Sequence, residues 1–167
     1  MTTSTMQRPD TTGYDGAPRV RSMTDRLTEL LARHSVGVLR VSLGIVFFAF
    51  GVLKFFPGVS PAEALVERTI DTLTLGLVHG RTAVVMTAVV ECFIGLTLVT
   101  GKFVRAGLVA LAGALVGILS PLVLFAADMF PGGTPTLEAQ YVFKDIVLAA
   151  AGLVVAAVAL GAKLSRT

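Results

Sequence analysis

The stretch RTAVVMTAVVECFIGLTLVTGKFVRAG, Arg81 to Gly107, carries one charge, Glu91, in the whole apolar run between Arg81 and Lys102. In a soluble domain that carboxylate would sit in a core with nothing to pair it. In a bilayer an ionisable group within a span is costly and therefore turns toward the bundle interior, where it marks a functional position or a partner. Composition decides the solvent: 54% of residues are hydrophobic and only 15% charged, with a mean hydropathy of +0.80, against about a quarter charged in ordinary soluble domains. The chain belongs in a membrane.

Working outward from Glu91, four apolar runs are long enough to cross about 30 Å of hydrocarbon, which takes about 20 helical residues. They cover residues 36–56, 83–100, 103–127 and 141–162. Only Gly101 and Lys102 part the second run from the third, so those two form a tight helical hairpin. The expected architecture is all-α: an integral membrane four-helix bundle with short amphipathic interfacial helices, a single domain over residues 23–162.

Residues 1–22, rich in Thr, Pro, Gly and Asp, are expected to be a disordered cytoplasmic tail, and residues 163–167 a second tail. A signal peptide needs a basic start followed directly by an apolar run, whereas here that run begins at residue 36, so no cleavage is expected. TDRLTELLARH, Thr24 to His34, reads as a short amphipathic helix on the membrane surface, with Leu27, Leu30 and Leu31 on one face. Between spans one and two, PGVSPAEALVERTIDTL offers Ser60, Pro61 and Glu63 as N-cap, N1 and N3 of another surface helix, with Val66, Ile70, Leu73 and Leu77 at helical spacing. The second connection, DMFPGGTPTLEAQ, is broken by Pro131, Gly132, Gly133 and Pro135, after which Thr134 or Thr136 caps the fourth span.

Steps of four and three residues trace one face of each span. They give Arg40, Gly44, Phe47, Gly51 and Lys54; then Val84, Ala88, Glu91, Gly95 and Leu98; then Ala106, Ala110, Gly113, Gly117 and Ser120; then Asp145, Ala149, Gly152, Ala156 and Ala159. Gly44, Gly51, Gly95, Gly113, Gly117 and Gly152 are thus the expected helix-packing positions, and Glu91 shares their face. Counted from the span ends at about 1.5 Å per residue, Glu91 lies near the midplane and Lys54 and Asp145 nearer the outer boundary. Pro121 has no N–H to give the Gly117 carbonyl and should kink the third span. Lys54, Glu91, Tyr141, Lys144 and Asp145 are the candidate lining of an outward-opening pocket. Arg40 reaches either up toward Glu91 or down to headgroups. The plainer alternative is that these charges only bridge neighbouring helices.

Several chemistries lack their residues. One cysteine, Cys92, permits neither an intrachain disulfide nor a CxxC pair. His34 and His79 fall outside the spans on opposite sides, and no cluster has metal-ligand spacing. No nucleotide loop is present, and the net charge of +3 follows from basic residues beside the spans rather than from a nucleic-acid surface.

The chain resembles the DoxX-like family of small four-span bacterial membrane proteins. The resemblance runs from LRVSLGIVFFAFGVLKFFPGVSPAE (Leu39 to Glu63) through VVECFIGLTLVTGKFVRAG (Val89 to Gly107) and SPLVLF (Ser120 to Phe125) to PTLEAQYVFKDIVLAAAGLVV (Pro135 to Val155). It places Arg40, Lys54, Glu91, Glu138, Tyr141 and Lys144 at the family's polar positions, while Asp145 stands where relatives are expected to carry Asn. The resemblance implies association with quinone-linked oxidation of sulfur compounds and with oxidative stress, as a membrane subunit beside other proteins. Such a chain would hold no intrinsic cofactor, with a quinone as its candidate ligand, and its partners would be lipid and either a protein of a membrane complex or a second copy of itself. Two readings compete with an accessory redox subunit: a proton-coupled small-molecule carrier using Glu91, and a structural or assembly subunit. The expected location is the bacterial cytoplasmic membrane.

Orientation follows from Lys and Arg outside the spans. Nine lie on the side of the termini and the residue 101–102 turn (Arg8, Arg19, Arg21, Arg26, Arg33, Lys102, Arg105, Lys163, Arg166), against Arg68 and Arg81 on the other. Both termini are therefore expected in the cytoplasm. Reporter fusions at residue 130 and at residue 167 should land on opposite sides of the membrane; the same side for both would overturn the four-span topology.

Overall fold

A computed structural model of the protein describes residues 18–162, with side chains from residue 23 onward. Of the tails expected at residues 1–22 and 163–167, residues 1–17 and 163–167 lie outside the described residues, whereas residues 18–22 are not a disordered tail but the start of a helix. The described chain holds seven α-helices and no strand: α1 (Pro18–Leu53), α2 (Glu63–Leu73), α3 (Gly80–Thr100), α4 (Val104–Leu119), α5 (Pro121–Leu124), α6 (Ala126–Met129) and α7 (Leu137–Ala159), with a 3-10 turn at Pro131–Gly133 before α7. Four apolar segments are long enough to cross a membrane, Met23–Leu53, Gly80–Thr100, Val104–Leu124 and Leu137–Ala159. The protein is an all-α membrane protein.

The described residues up to His34 and those from Ser35 onward form separate compact units. The separate surface helix expected from Thr24 is instead part of α1, because neither a proline nor a positive-φ residue interrupts the backbone between Arg19 and Leu53. In the unit from Ser35 onward, Leu43 and Phe47 of α1, Ile94 and Leu98 of α3, Leu111 of α4 and Val155 of α7 form one buried cluster. Lipid tails are as apolar as these side chains, so what favours the bundle is close packing rather than escape from water.

Glycine supplies that packing between α1 and α3. A Cβ at Gly95 would stand 2.6 Å from the Phe48 backbone N and 2.7 Å from the Gly44 carbonyl oxygen, and one at Gly51 would stand 2.9 Å from the Cys92 backbone N. Gly107 of α4 lies against Thr97 of α3, and Gly152 of α7 against Leu111 of α4. Gly113 and Gly117 have no atom of another helix within 4 Å of where a Cβ would be. Their expected packing role inside this chain is therefore corrected. The buried face of α4 carries Gly107 and Leu111, with Val104, Leu108, Ala114, Leu115 and Ile118 beside them, turning the GxxxG away.

The third span also ends differently from its reading to residue 127. Pro121 interrupts it as expected, but the Ser120 hydroxyl donates to the Gly117 carbonyl at 2.8 Å and so satisfies the acceptor that proline leaves open. Phe125 (φ −123°) then leaves the helical conformation, separating α5 from α6. The fourth span starts earlier than residue 141, at Leu137, because Thr136 caps it by accepting from the Ala139 N–H at 3.2 Å.

On the far side from the α3–α4 turn, α2 packs on α3 and on the end of the third span. Its cap is Ala62 rather than Ser60, and Glu63 reaches back to accept from the Gly58 N–H at 2.7 Å. The face it buries carries Leu65 and Thr69, with Leu65 against Phe125, Met129 and Ala139, whereas Leu77 lies beyond the helix and is exposed. Arg68 closes the contact: it donates to Asp128 at 2.6 Å and stacks 3.8 Å from the Phe125 ring centroid.

The glycine contacts make a paired prediction. Gly95→Ala should destabilise the bundle by about 1–3 kcal/mol, since backbone atoms must move to admit the methyl group. Gly113→Ala should be neutral or stabilising by up to about 1 kcal/mol through helix propensity. Unfolding in mixed detergent micelles, followed by circular dichroism, measures both; equal effects would mean that α1 and α3 are not in this close contact.

Candidate functional site

Lys54 sits in the turn that ends α1, where its N–H still donates to the Gly51 carbonyl at 3.2 Å. Because Gly51 lies flush against Glu91 and Cys92, Lys54 is only about one turn above Glu91, roughly 5 Å along the axis. Its stem spans that gap, and Nζ meets the Glu91 Oε2 at 2.7 Å. The two side chains are 4% and 7% exposed, so solvent does little to screen the pair. Among the described residues this is the buried ion pair of the bundle. The α1–α3 contact thus sets Lys54 above Glu91 by no more than its own stem can span.

Asp145, half-buried on α7, lies within electrostatic range of both partners. One ammonium, from the turn that follows α1, and two carboxylates, from α3 and α7, thus interact electrostatically. Tyr141 and Lys144, expected in the same pocket, are exposed, and the Lys144 Nζ lies 4.7 Å from the Tyr141 ring centroid. They form a cation–π pair on the surface of α7 rather than part of the cluster's core.

Arg40 takes neither expected course. It donates to the Leu98 carbonyl in the last turn of α3, with its guanidinium beside Gly101. Orphan carbonyls at a helix C-terminus favour a cation there. Leu98 is seven residues from Glu91, roughly 10 Å along the helix, so Arg40 serves the hairpin end rather than the cluster.

Some polar residues acquire roles that spacing did not reveal. Arg81, in the first turn of α3, pairs with Glu63 at 3.2 Å and donates to the Phe55 carbonyl at 2.6 Å, fastening the first turn of α2 to α3. The sequence signal was one basic and one acidic residue, each opening a helix. Ser60, read as a cap, is buried, and its hydroxyl has no hydrogen-bond partner among the described residues. Those residues hold no group of His, Cys, Asp and Glu able to bind a metal.

The DoxX family model matches residues 35–128. The chain belongs to the DoxX family. The DoxX match takes in Arg40, Lys54, Glu91 and Pro121 and ends before α7, leaving Tyr141, Lys144 and Asp145 outside it. No curated protein and no solved structure matches the chain.

Removing one partner of a buried pair strands the other, which typically costs about 3–5 kcal/mol, whereas replacing both by apolar residues of similar volume is often close to neutral. Lys54→Met and Glu91→Leu should each lower the stability of this DoxX chain by about 3 kcal/mol, and the double variant should recover at least half of that loss. A double-mutant cycle of unfolding in mixed micelles reads the coupling. Additive losses would show that the two side chains do not pair.

Proposed function

We propose that this DoxX chain is an accessory membrane subunit of a redox system, and that its Lys54–Glu91–Asp145 cluster receives the headgroup of a lipid-soluble molecule, with a quinone as the class that fits best. The observation supporting this reading is the second carboxylate. A structural staple between two helices needs one acid for one base, yet Asp145 adds a carboxylate within electrostatic range of a pair that is already matched. An extra acidic group inside a bundle is costly unless it holds a proton or meets a donor from a ligand.

The chemistry of a quinone suits that inventory. Its carbonyl oxygens accept from an ammonium, and the O–H groups of its reduced form donate to carboxylates. Reduction consumes two electrons and two protons per quinone. Carboxylates can pass the protons, while the electrons must come from another subunit, because the chain shows no electron-carrier motif of its own. Tyr141 and Lys144, exposed on α7, lie one turn or less along the helix from Asp145 and border the route from lipid. In this reading both termini face the cytoplasm, and the cluster opens toward the side where α2 lies.

Asp145→Asn separates this function from a purely structural pair. A bound headgroup that uses the second carboxylate requires labelling by a photoreactive quinone analogue to fall about tenfold, the equivalent of one lost hydrogen bond to a charged group, while the unfolding midpoint stays unchanged. Labelling equal to that of the parent chain would remove the quinone site and leave the cluster as packing.

A further inference from the structure

We infer that the α3–α4 turn is a docking surface for the headgroups of anionic phospholipids. The turn is three residues long, Gly101, Lys102 and Phe103, between the end of α3 at Thr100 and the start of α4 at Val104. Both helices are apolar almost to those ends, so a connection this short keeps its side chains at the level where hydrocarbon gives way to headgroups. Lys102 and Arg105 are exposed there, whereas Arg40, at the same end of α3, is turned to the Leu98 carbonyl. No acidic residue occurs in the sequence between Glu91 and Asp128, so no carboxylate of either helix lies near the turn to neutralise these cations.

Phe103 makes the surface amphipathic. Its side chain is 81% exposed, and its backbone adopts φ 55°, a left-handed conformation uncommon for any residue with a Cβ. A large apolar ring presented by a three-residue turn between two cations buries itself at the headgroup–acyl boundary, as Phe and Leu do on the apolar face of interfacial segments. Lys102 and Arg105 then stand at the depth of lipid phosphates. Charge complementarity selects the anionic lipid: each basic side chain held near an anionic surface contributes about 1 kcal/mol, equivalent to roughly a fivefold preference.

The protein contains no tryptophan, so Phe103→Trp installs a lone fluorescent reporter at the turn. Reconstituted in vesicles containing equal mole fractions of phosphatidylglycerol and phosphatidylcholine, the variant should emit at short wavelength. It should be quenched several-fold more strongly when the bromine labels are on phosphatidylglycerol than when they are on phosphatidylcholine. Lys102→Gln and Arg105→Gln, introduced together, should abolish the difference between the two lipids while circular dichroism shows the bundle intact. Equal quenching by both lipids in the parent reporter would overturn the inference, as would the absence of quenching, which comes with long-wavelength emission from a turn in water and with short-wavelength emission from a turn packed against protein. Native mass spectrometry of the unsubstituted chain gives a second reading: retained phosphatidylglycerol should outnumber retained phosphatidylcholine, and equal retention counts against the site.

Discussion

The near-contact of α1 with α3 at Gly44, Gly51 and Gly95 is the constraint on which the rest of the bundle depends. Without side chains at those positions the two backbones approach until the Gly95 region meets Phe48 and the Gly44 carbonyl. That separation lets the Lys54 stem reach Glu91, and it lets Arg40, on the same face of α1, reach the last turn of α3. One helix thus supplies a cation at each end of the contact. The upper one neutralises a carboxylate, and the lower one satisfies a helix terminus.

The faces of α1 and α3 were legible in the sequence because glycine and charge fall in phase along both. Gly44, Phe47, Gly51 and Lys54, like Val84, Ala88, Glu91, Gly95 and Leu98, are buried together. The face of α4 was not legible. In a helix apolar on every side hydrophobicity carries no phase, and the small stripe through Gly113 and Gly117 competes with the one through Gly107 and Leu111. The choice between them is made by contact with Thr97 and Gly152, which no periodicity within α4 can report. The pairing of Lys54 with Glu91 escaped for a related reason: residues counted from span ends give depth along each axis, but not the relative height of two helices whose register is set by glycine contacts.

Polar groups in the bundle are largely met by neighbours that the chain itself provides. Ser120 answers the carbonyl that Pro121 leaves open, and Thr136 answers the first turn of α7. Among the described residues the buried Ser60 hydroxyl has no hydrogen-bond partner, and Asp145 meets Lys54 through its charge alone. The candidate site is defined as much by that contrast as by the charges themselves, since an environment that satisfies most of its donors and acceptors makes a surplus one chemically conspicuous.

The segment between Lys54 and Glu63 is short, is built from turns, and is fixed at both ends. One end is held by the pair with Glu91; the other is held by Glu63 through the Gly58 N–H and Arg81. Such a segment behaves as a strap with little slack. A load that pulls α2 away from its seat beside Phe125 and Asp128 acts, through nine residues of chain, on an ammonium inside the bundle. The outer covering and the interior charge are therefore mechanically in series, and neither can be displaced far without putting tension on the other.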